Sequence, residues 1–508
     1  MSRRVLNALF AYSVFATSAA SAVALNPRGV GQVLIYPYYT VNAGQDTLFT
    51  LVNATDTAKV ARVRFLEGYN GRTVFATYVF LSAHDVWTAA ITEVADDDGA
   101  KLATADASCT FPPLPTHAAP FTSEDYTGAN DDTGPTSITR TREGEIEVIE
   151  AGDIVPGSAA ETAITHVQTG LPGAGVPPCT FATGNGVQPI DLADLAVPSG
   201  GLTGSAAIVN VLQGTLFAYQ ATALVGFTDR LPVDDLTDAT QPSLDGAHSG
   251  DSSRTARAYV PNGAATIVAD YDNGIDAVSA VLMSDTIANE FLTAASLGAS
   301  TDWVVTFPTK RYYVDESVRH TPRAPFEESF GEHIDYDNTR IRGVSRQSIE
   351  AWVYDRDEYA TTTVDSDECG FPECPAQHAP DLPYQVNVFT FGENGLPHGT
   401  PSRVLGSVLS TYYRSGFGQG PLPDQGWMWF GLSIYNQALS NDAFPNDDTI
   451  ILWGLPVAGF MVYNVINANA QPGVVGNYGG AFAYRAAICT NPDGATCPPG
   501  VAMMRHFR

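Results

Sequence analysis

Carboxylates are the residues of this chain best supplied for chemistry. Asp and Glu number 55 against 26 Lys and Arg, giving a formal net charge of −29. They gather at Asp96–Asp98, Asp270/Asp272/Asp276, Asp335/Asp337, Asp365/Asp367/Glu368 and Asp447/Asp448. Calcium takes oxygen ligands from Asp-rich loops of this kind, and Asp270, Asp272 and Asp276 form the calcium candidate. Their register is not that of an EF-hand, because Gly274 would need its first Asp at position 269, which is Ala269. Solvated acidic loops are the simpler account. Two carboxylates can also act as a glycosidase pair, but spacing singles out no pair.

Aromatic residues give a second feature. Trp427-Met428-Trp429-Phe430, with Tyr412 and Tyr413, can line a glycan-binding face. In a strand Trp427 and Trp429 share one side, which is also how core residues are arranged. Ser82-Ala83-His84-Asp85 resembles the histidine segment of trypsin-like proteases. That family needs a Gly-Asp-Ser-Gly-Gly loop, and Ser249-Gly250-Asp251-Ser252-Ser253 lacks both glycines after the serine. His84 and Asp85 therefore read as a polar turn. No G-x-S-x-G, H-E-x-x-H, P-loop or dinucleotide fingerprint occurs. No catalytic residue is assigned.

The elements that must position these residues read as strands. Thr47–Ile91 is the clearest stretch. Arg62 and Arg64 alternate with Ala61, Val63 and Phe65, the period of a half-buried strand. Gly68-Tyr69-Asn70-Gly71-Arg72 supplies turn chemistry, so residues 60–81 are expected to form an antiparallel hairpin. Short strands are expected at Gly144–Ala151, Asp302–Thr309, Lys310–Val314, Ile349–Tyr354 and Trp427–Tyr435. Short helices are expected within Ser158–Thr169 and Thr286–Leu297. The fold class is mainly β: two or more antiparallel β-sandwich (Ig-like) domains with long irregular loops and a few short helices. The expected divisions are a signal peptide over 1–24, a sandwich domain over 25–320 and a second β-rich domain over 321–508. A disulfide-tied insertion is expected at about 95–200.

The chain opens Met1-Ser2-Arg3-Arg4, then an apolar run to about Phe15, then Ala22-Val23-Ala24. That order of positive, apolar and small residues marks a secretory signal peptide, with cleavage expected after Ala24. No later stretch reads as a membrane span. The six cysteines of an exported chain read as disulfides. Neighbours in sequence suggest Cys109–Cys179, Cys369–Cys374 and Cys489–Cys497. The three lysines, Lys59, Lys101 and Lys310, leave a strongly acidic field. Such a field disfavours nucleic acid and anionic membranes and favours basic partners and divalent cations.

Gly29–Val41 (GVGQVLIYPYYTV), Leu51-Val52-Asn53, Asp302–Lys310 (DWVVTFPTK) and Gly454-Leu455-Pro456-Val457 carry a resemblance. Through them the chain resembles a group of exported proteins of Gram-negative bacteria. The resemblance implies an extracellular or outer-surface location, with the periplasm as alternative, and brings no activity or site residues. Three functions follow as expectations. The first is a non-enzymatic surface protein with a structural, adhesive or ligand-binding role, its partner a glycan or another surface. The second is a secreted polysaccharide hydrolase using paired carboxylates. The third is a calcium-stabilised, self-assembling surface-layer or filament subunit.

Overall fold

A computed structural model describes residues 22–490, except 96, 115–117, 167–174, 181–188, 264, 319–321, 335–339, 358–380, 392–398, 413–421, 434–436 and 443–448. The mainly-β expectation is met: strands in several antiparallel sheets make up most of the chain's regular structure.

Two sheets form the first unit. In a ten-stranded sheet, Val33–Thr40, Glu143–Ile154, Lys59–Glu67 and Thr73–Leu81 lie side by side. In a seven-stranded sheet, Val86–Glu93, Asp46–Asn53, Leu202–Asn210 and Thr215–Gln220 do the same. Their facing sides interlock through aromatic rings. Phe49 of one sheet meets Tyr36 and Phe65 of the other, each at 5.7 Å between centroids, and packs edge-on to Trp87 at 5.4 Å. The hairpin expected over 60–81 is present as Lys59–Glu67 paired with Thr73–Leu81. Its turn closes round Glu67, whose carboxylate accepts from the backbone N–H of Tyr69, Asn70 and Arg72. Gly71 supplies the required positive φ of 73°.

The second unit also pairs two sheets. One contains Glu350–Asp355, Gln425–Gly431, Thr286–Leu292 and Arg485–Ala487 in that order. The other is built round Val386–Thr390, Ala299–Thr306, Ala458–Gln471 and Val474–Ala483. Trp303, Phe389, Phe391 and Phe430 fill the space between them, with Trp303–Phe430 at 5.1 Å and Phe389–Phe430 at 5.0 Å. Among the described residues no sheet joins a strand before Met283 to one after it.

Two local expectations are corrected, and a third is met. Thr286–Leu297 does not form a helix: Thr286–Leu292 is a strand hydrogen-bonded on both sides. Ile287 and Phe291 are inward at strand spacing, which a short window cannot distinguish from helical spacing. Lys310–Val314 is not a strand; Arg311–Val314 is one helical turn. The helix within Ser158–Thr169 is present as Ala159–Ile164, capped by the Ser158 side chain.

Val23–Leu25 is a strand between Thr222–Val225 and Ala256–Asn262. Ala24 pairs with both Val225 and Tyr259, and the Val23 side chain is fully buried. The boundary expected after Ala24 therefore cuts through this strand. Cys109 and Cys179 are disulfide-bonded, and Cys489 is also in a disulfide. Cys369, Cys374 and Cys497 lie outside the described residues. Among the described residues no helix is long and apolar enough to cross a membrane.

Candidate functional site

Alternation builds an aromatic face on the outer side of the second unit. In Gln425–Gly431, Met428 and Phe430 point inward and are fully buried. Trp427 and Trp429 consequently point outward. In Glu350–Asp355, Val353 points inward, which turns Trp352 and Tyr354 outward. Antiparallel register then places Trp352 opposite Trp429 and Tyr354 opposite Trp427. The Trp352 and Trp429 rings stack at 5.3 Å with 14° between their planes. Tyr354 and Trp427 stack at 4.4 Å and 8°. Gly426 lets the two strands close here, since a Cβ on it would lie 1.9 Å from the Tyr354 carbonyl oxygen.

These rings form a cluster separate from the main cores. Trp429 is its buried centre at 4% exposure. Trp352, Tyr354 and Trp427 remain half-exposed. Next to the rings the strand Thr286–Leu292 presents Ala288, level with Trp429, and Glu290, level with Trp427. Arg485 pairs with Glu290 at 3.4 Å on the exposed rim. Glu350 stands at the other rim; burial pushes its carboxyl upward, and the neighbouring Trp352 indole pulls it partly back. The two ring pairs sit two residues apart along the strands, roughly 7 Å, on the scale of one sugar ring. Aromatic faces of this kind present apolar area with polar groups at the margin, the combination that stacks on carbohydrate.

Trp427 and Trp429 were thus readable as sharing one side. Their partners Trp352 and Tyr354 were not, because strand pairing across some 75 residues leaves no local trace. Tyr412 is elsewhere, buried with its hydroxyl donating to the Pro401 carbonyl. Tyr413 lies outside the described residues.

The calcium candidate is dispersed. Asp270 binds Arg257 at 2.7 Å and accepts from Ser253, which together hold its carboxyl below the usual range. Asp276 is buried in the first turn of helix Gly274–Leu282 and accepts from Tyr313 at 2.8 Å and from Arg323. Asp272 is exposed and 3.6 Å from Arg254. Among the described residues no cluster of three or more His, Cys, Asp or Glu could hold a metal. Asp335, Asp337, Asp365, Asp367, Glu368, Asp447 and Asp448 lie outside the described residues. His84 and Asp85 do sit in a turn between strands, with His84 2.7 Å from Asp56 on the surface.

Sequence reasoning missed the concentration of buried acid on Glu143–Ile154. Glu143, Glu145, Glu147, Glu150 and Asp153 are all buried. Glu143 accepts from the Tyr38 hydroxyl and Val408 N–H, both at 2.9 Å. Glu147 pairs with Arg64 at 3.1 Å. Glu150 and Asp153 share the fully buried Lys59 at 2.8 and 2.5 Å. These carboxylates face protein rather than a cleft, so they bind the fold together and do not form a glycosidase pair across a substrate. Alternation in the segment EGEIEVIE was the available signal, but only the covering loops tell a buried polar face from a wet one.

No protein-family model matches the chain, nor does any curated protein or solved structure.

Proposed function

We propose that this is an exported, non-enzymatic protein that binds uncharged polysaccharide through Trp352, Tyr354 and Trp427. The observation that carries the reading is the pair of stacked cross-strand ring pairs on the outer side of a sheet, half-exposed and outside the main cores. Rings on the outer side of a sheet favour an extended chain lying across them over a substrate enclosed for cleavage. Glu290 and Glu350 at the margin, on a protein of net charge −29, disfavour anionic glycans. Export is supported by the sequence of residues 1–24 and by the Cys109–Cys179 disulfide, which suits an oxidising compartment.

The test is co-sedimentation with insoluble neutral polysaccharides, followed by affinity electrophoresis in soluble ones. Trp427→Ala should weaken binding at least tenfold, about 1.4 kcal/mol. Retention of full affinity by Trp427→Ala, or absence of binding to every neutral polymer tried, overturns the reading.

A further inference from the structure

Glu145 sits in the acidic strand Glu143–Ile154 and is 1% exposed. Gln385, also 1% exposed, leads into strand Val386–Thr390 of the second unit. Gln385 Nε2 donates to Glu145 Oε1 at 2.8 Å. That bond uses one atom of each group. The remaining two atoms, Glu145 Oε2 and Gln385 Oε1, have no partner among the described residues. With Glu145 ionised, both are acceptors and neither can satisfy the other. Buried polar atoms are nearly always paired, so two orphans on two groups already joined call for a common cause.

We propose that Glu145 is a proton-binding site of the native protein, its carboxyl O–H donating to Gln385 Oε1. A carboxylic acid supplies the one donor that the pair lacks. The planar groups then close a two-bond acid–amide ring, and the ring ties the first unit to the second.

The surroundings agree. Burial is the largest influence on Glu145 and pushes its carboxyl up to about 8. Glu147 on the same strand and Glu67 on strand Lys59–Glu67 also disfavour its charge. Arg311, on the helical turn Arg311–Val314, is the cation that opposes them. Arg311 is engaged elsewhere, donating to the Gly71 carbonyl at 2.8 Å. The ordinary value is 4.5 and the native one about 8. The folded state therefore holds the proton more tightly than the unfolded chain. The stabilisation is complete below the ordinary carboxyl range and is lost as pH rises through the native value.

Glu145→Gln is the deciding variant. Its amide closes the same ring with Gln385 and carries no ionisable proton. Wild type and E145Q should melt together near the ordinary carboxyl range. E145Q should then gain several degrees over wild type as pH climbs from that range to about 8, and hold the gain above it. Infrared difference spectra should show a carboxylic-acid carbonyl band in wild type at neutral pH that is absent from E145Q. Melting curves that stay parallel across this range overturn the proposal, as does a missing acid band. So does failure of E145Q to fold, because an amide completes the ring as well as an acid does.

Discussion

Among the four stacked rings, position decides role. Trp429 is 4% exposed, clusters with Ala288 and stacks on Trp352. Removing it opens a cavity, so Trp429→Ala should cost about 3–5 kcal/mol of stability, read by denaturant unfolding. Trp427 is half-exposed, and Trp427→Ala should cost about 1 kcal/mol while removing most of the polysaccharide affinity. Equal losses of stability and binding in both variants would make the face a structural cluster only. Sequence alone could place Trp427 and Trp429 on one side, since that follows from period two. Whether the side was core or surface depended on Trp352, Tyr354 and Ala288, which reach it from other strands. The surroundings of the acidic triplet also come from remote residues. Asp270 and Asp276 look like neighbours in sequence, but Arg257 and Arg323 draw them to different places.

For elements, legibility followed contact distance along the chain. The hairpin Lys59–Glu67 to Thr73–Leu81 was plain because its turn residues and alternation lie together. Thr286–Leu292 was read as helix because Ile287 and Phe291 fit either period, and its partners Gln425–Gly431 and Arg485–Ala487 are remote. The first described strand, Val23–Leu25, lies across the boundary expected after Ala24. Val23–Leu25 links the hairpin Ala256–Tyr271 to the rest of the ten-stranded sheet. Fully burying a valine is worth about 1.5–3 kcal/mol, to which the ladder bonds of Ala24 add. A chain beginning at Val23 should therefore melt several degrees above one beginning at Leu25. If the chain is processed as its first 24 residues predict, mass spectrometry of the mature protein should find Val23 retained. A mature N-terminus at Leu25 with full stability would show that this strand contributes nothing to the sheet.

At the scale of the whole molecule the acidic composition acts through where protons and cations sit. Of the three lysines, Lys59 and Lys310 are buried, and so are many carboxylates, among them Glu67, Glu143, Glu145, Glu147 and Glu150. The carboxylates of the calcium candidate already have arginine or hydroxyl partners, so excess calcium and EDTA should give the same melting temperature. A rise of several degrees with calcium would mean that carboxylates outside the described residues bind it. The pH response is more telling. Glu145 and Glu150 are pushed up to about 8, mainly by burial, from an ordinary 4.5. The native state keeps protons that the unfolded chain releases, so stability falls as pH climbs between those values. Asp132 and Asp270 are held below their ordinary 3.8 by Arg140 and Arg257. Their contribution is present above that value and is lost as pH falls below it. The two trends place maximum stability within the ordinary carboxyl range, near 3.8–4.5. Surface repulsion works in the same direction, because net charge shrinks towards the sequence pI of about 4.4. Salt separates the two causes. It screens exposed charges within about 10 Å at 0.1 M but leaves the buried carboxyls their protons. Melting temperature should therefore stay higher near the ordinary carboxyl range than at about 8, even in high salt. If salt abolishes that difference, surface repulsion accounts for all of it and the buried glutamates are ionised in the native protein.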